Sequence, residues 1–395
     1  MATTVRNGCK MSVLVMSAFV FMTTVFGGGW ATGANSNVYF ISQGGYLGLI
    51  TPIVGMFLVS FVGWLTLEFA RMSNVWNYGD FMHALYGTPV IKFIFDVIQI
   101  VCLPITAGAL FATFAGTLSS SVGGNYYMWL AVFFVITLFS VMWGTKVVSR
   151  LAGFMGTIIL ILLITIFATV IANGSGNFSH IMAERTVYGS VGGAWWWGAV
   201  KFWMLSAGMC LSLLPAYEPM QTRRDTILTC TISYLFCLSF ILIINFLVLA
   251  YSPESIQQTV PILYAIQQMD QKWLQAIYVI VVCLAVITTG NGLTFGYTVR
   301  FMNFAAVKKW KARDSIKMCL LSAAQLIISL VVSLAGLTAI ISKGYSYMSY
   351  LNSPLVAYGI PLFVTFKLIV AARKGKGAER GCLSGMSWGD WLGKS

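Results

Sequence analysis

The chain has 395 residues, of which 58% are hydrophobic and 9% charged, with a net charge of +13 and eight cysteines. Soluble domains carry about 25% charged residues, so this balance, with a mean hydropathy of +0.83, excludes a soluble globular domain and predicts an all-α polytopic membrane protein. The basic excess is scattered over short loops, which argues against a nucleic-acid partner and for contact with the headgroups of a lipid bilayer.

A hydrocarbon core needs about 20 apolar residues per helical crossing. In chain order, such stretches fall at 11–41, 46–71, 89–117, 126–147, 149–173, 194–218, 226–251, 273–302, 314–342 and 345–372. Arg6 and Lys10 ahead of the first stretch imitate a secretory leader, but nine more stretches follow, so it is read as a span.

Ten spans put both termini on one side. With that side cytoplasmic, every lysine and arginine except Arg185, Lys201, Lys272 and Lys343 falls on the inner face, as topogenic charge requires. The chain is therefore expected in a cell membrane, as a multi-pass protein with cytoplasmic N- and C-termini. The eight cysteines form no CxxC pair and read as reduced, apolar residues.

The expected organisation is a cytoplasmic N-terminal tail (1–10), a first five-helix repeat (11–173), an extracytoplasmic connection (174–193), a second five-helix repeat (194–372) and a basic, glycine-rich cytoplasmic tail (373–395). The tail is expected to be disordered up to the region of Trp388 to Trp391. Because five is odd, the second repeat is inverted relative to the first. Short surface helices are predicted in the inner connection 72–88 and over the apolar piece 260–266.

The first span is interrupted by Gly27, Gly28 and Gly29, followed by Trp30-Ala31-Thr32-Gly33. Glycine costs about 1 kcal/mol per helical position relative to alanine, so three in a row invite unwinding. Unwound backbone at membrane depth is tolerated only inside protein or beside a wet cavity. The sixth span opens on Ala194-Trp195-Trp196-Trp197 and carries Ser206, Ala207 and Gly208 at mid-depth before Pro215. Paired interruptions in matching helices of inverted halves are the sequence pointer to a transporter's binding site.

Ten spans in two inverted halves with helices 1 and 6 broken resemble the LeuT fold of the amino acid–polyamine–organocation superfamily. Within it, the run Gly27 to Gly33 is similar to the Gly-x-Gly-aromatic-Ala-Thr-Gly signature of the YkvI-like bacterial membrane proteins. The resemblance spans about residues 11–372 and implies alternating access around a mid-membrane site.

Carbonyls from Phe26 to Gly29 are candidate cation ligands, and small-residue helix packing is the alternative for these glycines. Thr288 and Thr289 lie ~23 Å along their helix from Trp273, at ~1.5 Å per residue. In sodium-coupled proteins of this fold, a sodium site lies between the helix 1 break and hydroxyls of helix 8, which makes Phe26, Gly29, Thr288 and Thr289 the candidate ligands. Bonding back to helix carbonyls is the alternative for the threonines. Some proton-coupled relatives place a lysine on helix 5, where this chain has only Arg150 at the entrance.

Substrate contacts are expected from Gly27, Gly28, Gly29, Trp30, Lys201, Trp203, Ser206, Ala207 and Gly208, with Phe202 as a further aromatic wall. Lys201 is the intramembrane charge, either a substrate anchor or a snorkelling side chain. Asp96 is expected to pair with Lys92, and Glu68 and Glu218 with Arg71, Arg223 or Arg224 at an inner gate. Met209-Cys210 is a weak soft-metal candidate.

No enzyme motif is present: no HExxH, P-loop, GxSxG or pair of carboxylates at membrane depth. The expected function is a secondary active transporter of a small polar organic solute, an amino acid or related amine, with sodium as the possible coupling ion and no other cofactor. A proton-coupled carrier, a non-transporting solute sensor and a channel on the same fold are the alternatives. Neither solute nor oligomeric state is encoded legibly.

Overall fold

The computed structural model describes residues 8–26, 28–143, 145–189, 195–302, 305–375, 379–386 and 388–391. Gly27 and Ala194 lie outside the described residues, as does the side chain of Arg150.

The chain is a ten-span helical membrane protein. Span 1 runs Met11–Val25 and resumes at Gly28–Ala31 and Ala34–Ser36; span 2 is Thr51–Ser73, span 3 Pro89–Ser121, span 4 Tyr126–Trp143 and span 5 Thr145–Ala172. Span 6 is Trp197–Ala207 continued by Met209–Ser212, and span 7 is Arg223–Ala250. Span 8 is Lys272–Met302, span 9 Asp314–Ser333 and span 10 Leu337–Arg373. Among the described residues, six helices are long and apolar enough to cross a membrane unaided, and three shorter apolar helices fall in spans 1, 4 and 5.

Packing follows the two halves. Span 1 packs on span 7 and span 6 on span 2; span 3 packs on span 9 and span 8 on span 4. Span 5 packs on spans 8 and 7, and span 10 on spans 3 and 2. Exchanging 1 with 6, 2 with 7, 3 with 8, 4 with 9 and 5 with 10 maps each contact onto another. Contacts between the halves that exchange in this way are what an inverted repeat related by a pseudo-two-fold axis produces.

Span 1 interrupts twice. Phe26 closes its first part, its N–H donating to the Met22 carbonyl at 2.8 Å. The second interruption is at Gly33, whose φ of +82° suits glycine. A Cβ there would also lie 2.9 Å from Ile262 Cγ1. The kink's carbonyls are satisfied by neighbours: Tyr278 Oη donates to Ala31 O at 3.0 Å and the Ile262 N–H to Thr32 O at 3.1 Å. The predicted surface helix over 260–266 is therefore Pro261–Gln268, docked on the kink. The inner connection forms Tyr78–Tyr86, capped by Asn77.

Two expectations need correction. The turn between spans 9 and 10 sits at residues 334–336, where Gly336 takes φ +81°, not at 343–344. Lys343 is instead inside span 10, in a π-helical turn. Apolar character runs on through that turn, which hid it from a hydropathy reading. The tail is also ordered over 379–386 and 388–391. The N–H groups of Gly381 and Leu383 donate to Arg71 O (3.0 Å) and Met72 O (2.9 Å), and Arg380 donates to the carbonyls of Glu218 and Met220. Trp391 is buried with its ring 4.9 Å from Lys367 Nζ.

Candidate functional site

A cavity of about 300 Å³ opens where the two interrupted helices meet spans 3, 8 and 10. Thr24 borders it from span 1, and Leu205, Gly208, Met209 and Ser212 border it from span 6. Span 3 supplies Gln99, Cys102, Leu103 and Thr106; span 8 supplies Thr289, Gly292, Leu293, Gly296 and Tyr297; span 10 supplies Met348 and Asn352. Moving from Thr289 to Tyr297, or from Thr106 to Gln99, leads toward the face that carries both termini. The cavity therefore runs from the level of the breaks into that half of the protein.

Its polar groups are neutral. Gln99 Nε2 donates to Asn352 Oδ1 at 3.1 Å, and Asn352 Nδ2 donates to Met348 O at 3.1 Å and lies 3.8 Å from Cys102 Sγ. Thr106 donates to Cys102 O at 3.1 Å and lies 3.7 Å from Met348 Sδ. No aspartate, glutamate, lysine or arginine is among the described residues that line it. Such a wall favours a small polar ligand over an isolated ion with charge to compensate.

Toward the opposite face, beyond Thr24 and Leu205, spans 1 and 6 carry a cluster of packed aromatic rings. Phe26 and Trp30 are 5.0 Å apart, Trp30 and Phe202 5.4 Å, and Phe40 and Phe202 5.4 Å, with Tyr39 at 6.1 Å from Trp30. All five are buried. Each such pair contributes roughly 0.5–1.5 kcal/mol beyond simple burial, so the cluster holds spans 1 and 6 together on this side. Gly198 allows it, since a Cβ there would fall 1.8 Å from the Tyr39 carbonyl oxygen.

The structure places the anticipated residues unequally. Gly208 and Thr289 line the cavity. Gly28, Gly29 and Trp30 lie beyond it, in the resumed part of span 1 that packs on spans 8 and 3. Ser206 and Ala207 are buried beside Gly208 without reaching the cavity wall. Lys201 is one turn beyond Leu205 on the same helical face; its carbonyl accepts from the Ser349 hydroxyl at 3.1 Å. Trp203 faces away, packed edge-on against Tyr358 at 5.3 Å beside an apolar groove between spans 2 and 10. One helical face cannot serve cavity and groove together, and Leu205 and Gly208 hold the cavity face.

Of the anticipated cation ligands, Thr288 and Thr289 both donate to Ala285 O, at 2.9 and 2.8 Å. A hydroxyl that donates retains its lone pairs, so Thr289 still offers oxygen to the cavity. Gly29 O accepts the Thr32 hydroxyl at 2.8 Å, and Phe26 belongs to the aromatic cluster.

Of the anticipated charged pairs among the described residues, Glu68 with Arg71 forms, and the pairings of Asp96 and Glu218 do not. Asp96 accepts from Tyr78 Oη at 2.8 Å instead of pairing with Lys92. Glu68 and Arg71 form a buried two-point pair at 2.7 and 3.2 Å, to which the Thr226 hydroxyl adds a bond at 3.0 Å. Among the described residues, no ion pair to Glu218 is formed, and its carbonyl accepts from Arg380. Among the described residues no group of three or more His, Cys, Asp or Glu is placed to hold a metal.

No protein-family model matches the chain, and no curated protein sequence matches it. Solved structures do. The chain is similar to Mhp1, a nucleobase-cation-symport-1 family transporter in a closed conformation with bromovinylhydantoin bound, at a TM-score of 0.64 and 12% identity over 91% of this chain and 79% of that one. An inward-facing Mhp1 gives 0.60 at 11% identity, covering 91% and 77%. A manganese transporter of Eremococcus coleocola, in complex with an aromatic bis-isothiourea compound, gives 0.62 at 13% identity, covering 99% and 86%. The chain thus has the LeuT-type fold; the narrower likeness to YkvI-like proteins rests on the glycine motif alone.

Proposed function

We propose that the chain is a secondary transporter that moves a small polar organic solute, an amino acid or related amine, across the cell membrane by alternating access. The observation that carries this reading is the cavity itself. It lies at the junction of the two interrupted helices and extends from their breaks into the terminus-bearing half, while the Trp30–Phe202 rings pack in the other half. Basic residues on the terminus-bearing side support a cytoplasmic opening.

The neutral lining of amide, hydroxyl and thioether groups suits a solute with both donors and acceptors. One structural relative is a manganese transporter, but divalent cations favour charged or multiple hard oxygen ligands, and none of the described lining residues is a carboxylate. The names of the other relatives, a cation symporter with a hydantoin bound, support an organic cargo with a coupling cation. Sodium is the proposed coupling ion, with Thr289 among its ligands.

Uptake of labelled amino acids and amines into proteoliposomes, with and without a sodium gradient, tests the reading. Saturable uptake driven by sodium and reduced by Thr289→Ala is the expected result. Sodium-independent uptake unaffected by that variant would remove the coupling proposal. Ligand binding without flux would identify a sensor, and single-channel currents a channel.

A further inference from the structure

Between spans 2 and 10, behind span 6, lies a second hollow of about 730 Å³. Span 2 lines it with Leu58, Phe61 and Val62, span 10 with Leu362, Phe366 and Ile369, and span 6 with Trp203. Phe61, Leu362, Phe366 and Ile369 are exposed, so the hollow is a groove open to the surrounding hydrocarbon. It starts where Trp203 meets Tyr358 edge-on at 5.3 Å and reaches Ile369. Eleven helical residues cover about 16 Å at ~1.5 Å each. One leaflet contributes about 15 Å, half of a hydrocarbon core of about 30 Å. The groove therefore has the length of one acyl chain and runs from mid-membrane toward the face that carries both termini.

Each wall leads inward to an arginine. On span 10, Leu362, Phe366, Ile369 and Arg373 follow one another at spacings of four, three and four, which keeps them on one helical face. On span 2, the Phe61 ring stands 6.1 Å from that of Trp64, over which the Arg223 guanidinium lies at 5.7 Å. Both arginines are exposed, and among the described residues no carboxylate forms an ion pair with either.

We propose that this groove binds an anionic phospholipid of the leaflet on the terminus-bearing side, with one acyl chain along the groove and the phosphate held by Arg373 and Arg223. Guanidinium groups form strong, charge-assisted bonds to phosphate, and basic residues beside the membrane attract anionic headgroups. A second copy of the chain in the same orientation would bring its own basic inner loops against these arginines, and like charges in apposition are costly. The acyl chain rests on Trp203, on the helix whose Leu205 and Gly208 border the cavity. The lipid thus braces span 6 from behind, whatever the cargo or coupling ion.

Purified full-length protein, stripped of lipid in detergent, is titrated with phosphatidylglycerol, phosphatidylcholine or glycerol phosphate. The readouts are lipid retained in native mass spectrometry and the thermal unfolding midpoint. One phosphatidylglycerol is expected to be retained and to raise the midpoint, with phosphatidylcholine at least tenfold weaker and glycerol phosphate without effect. Leu362→Trp fills the groove from an exposed position, and Arg223→Gln with Arg373→Gln removes the charges. Each change should weaken phosphatidylglycerol retention at least tenfold while matching the wild-type midpoint in lipid-free detergent. Lys309→Gln, at an exposed site on another inner loop, should leave retention unchanged. Equal affinity for the two phospholipids, or wild-type retention in the groove and arginine variants, would overturn the proposal. So would a rise produced by glycerol phosphate alone, or a lipid-free dimer that Leu362→Trp dissociates.

Discussion

The Gln99 amide donates to Asn352 Oδ1 at 3.1 Å, a bond between residues 253 positions apart that ties span 3 to span 10 on the cavity wall. Replacing Asn352 by leucine strands the Gln99 amide. An unsatisfied, partly buried donor costs about 1–3 kcal/mol, whereas removing both partners is close to neutral. Asn352→Leu should therefore lower the unfolding midpoint, and Gln99→Leu with Asn352→Leu should recover most of the loss. Solute uptake should stay reduced by tenfold or more in both, since the polar wall is gone. Thermal unfolding and proteoliposome uptake measure the two effects separately.

Glycines of the cavity wall and of the aromatic cluster should respond oppositely to the same substitution. A Cβ at Gly292 would meet nothing within 4 Å, although the residue is in mid-helix. Gly292→Ala should stabilise the protein, by up to ~1 kcal/mol from helix propensity, and Gly292→Leu should fill the cavity and abolish uptake without unfolding the chain. At Gly198 the Cβ would fall 1.8 Å from backbone oxygen. Gly198→Ala should reduce the yield of folded protein, read by monodispersity after purification.

The Glu68–Arg71 pair is buried at both ends, and Arg71 also donates to Gln221 O. Breaking a buried pair leaves a charge uncompensated, typically at 3–5 kcal/mol. Glu68→Gln should therefore destabilise strongly in a chemical unfolding series. Asp314→Asn, which removes the exposed partner of Lys317, should change stability by less than ~1 kcal/mol.

Lys367 is fully buried, with its ammonium donating to Ala84 O and lying over the rings of Phe69 and Trp391. Truncation after Lys374 removes Trp391 from above it. Lys367 should then react with an amine-specific reagent at least tenfold faster than in the full chain, as quantified by mass spectrometry of its peptide.

Much of this architecture is legible in the sequence because membranes enforce it. Apolar length marks the spans, loop lysines orient them, and Gly208 marks the break in span 6. In span 1 the expected unwinding misses, because Gly28 and Gly29 are helical and the second break falls at Gly33. The wall of the cavity is less legible. Which face of span 6 turns inward depends on how Gly198 seats against Tyr39, a contact between distant segments, and so Trp203 reads as well as Leu205. Gln99 and Asn352 look like isolated mid-span amides until folding brings them together. The span 9–10 turn is hidden because one apolar run continues through it, and the tail's docking is hidden because its bonds are largely to backbone carbonyls, which have no sequence signature.

The tail contacts also set an order of assembly. Arg380 reaches the carbonyls of Glu218 and Met220, and the backbone N–H of Cys9 donates to Asp225 in the same corner. Residues 379–391 emerge from the ribosome only after all ten spans have been made. The corner between spans 6 and 7 must therefore wait, inserted but unfinished, through the synthesis of spans 8, 9 and 10. Its last hydrogen bonds form when residues 379–391 fold back, so completion of this face reports that all ten spans have already been made.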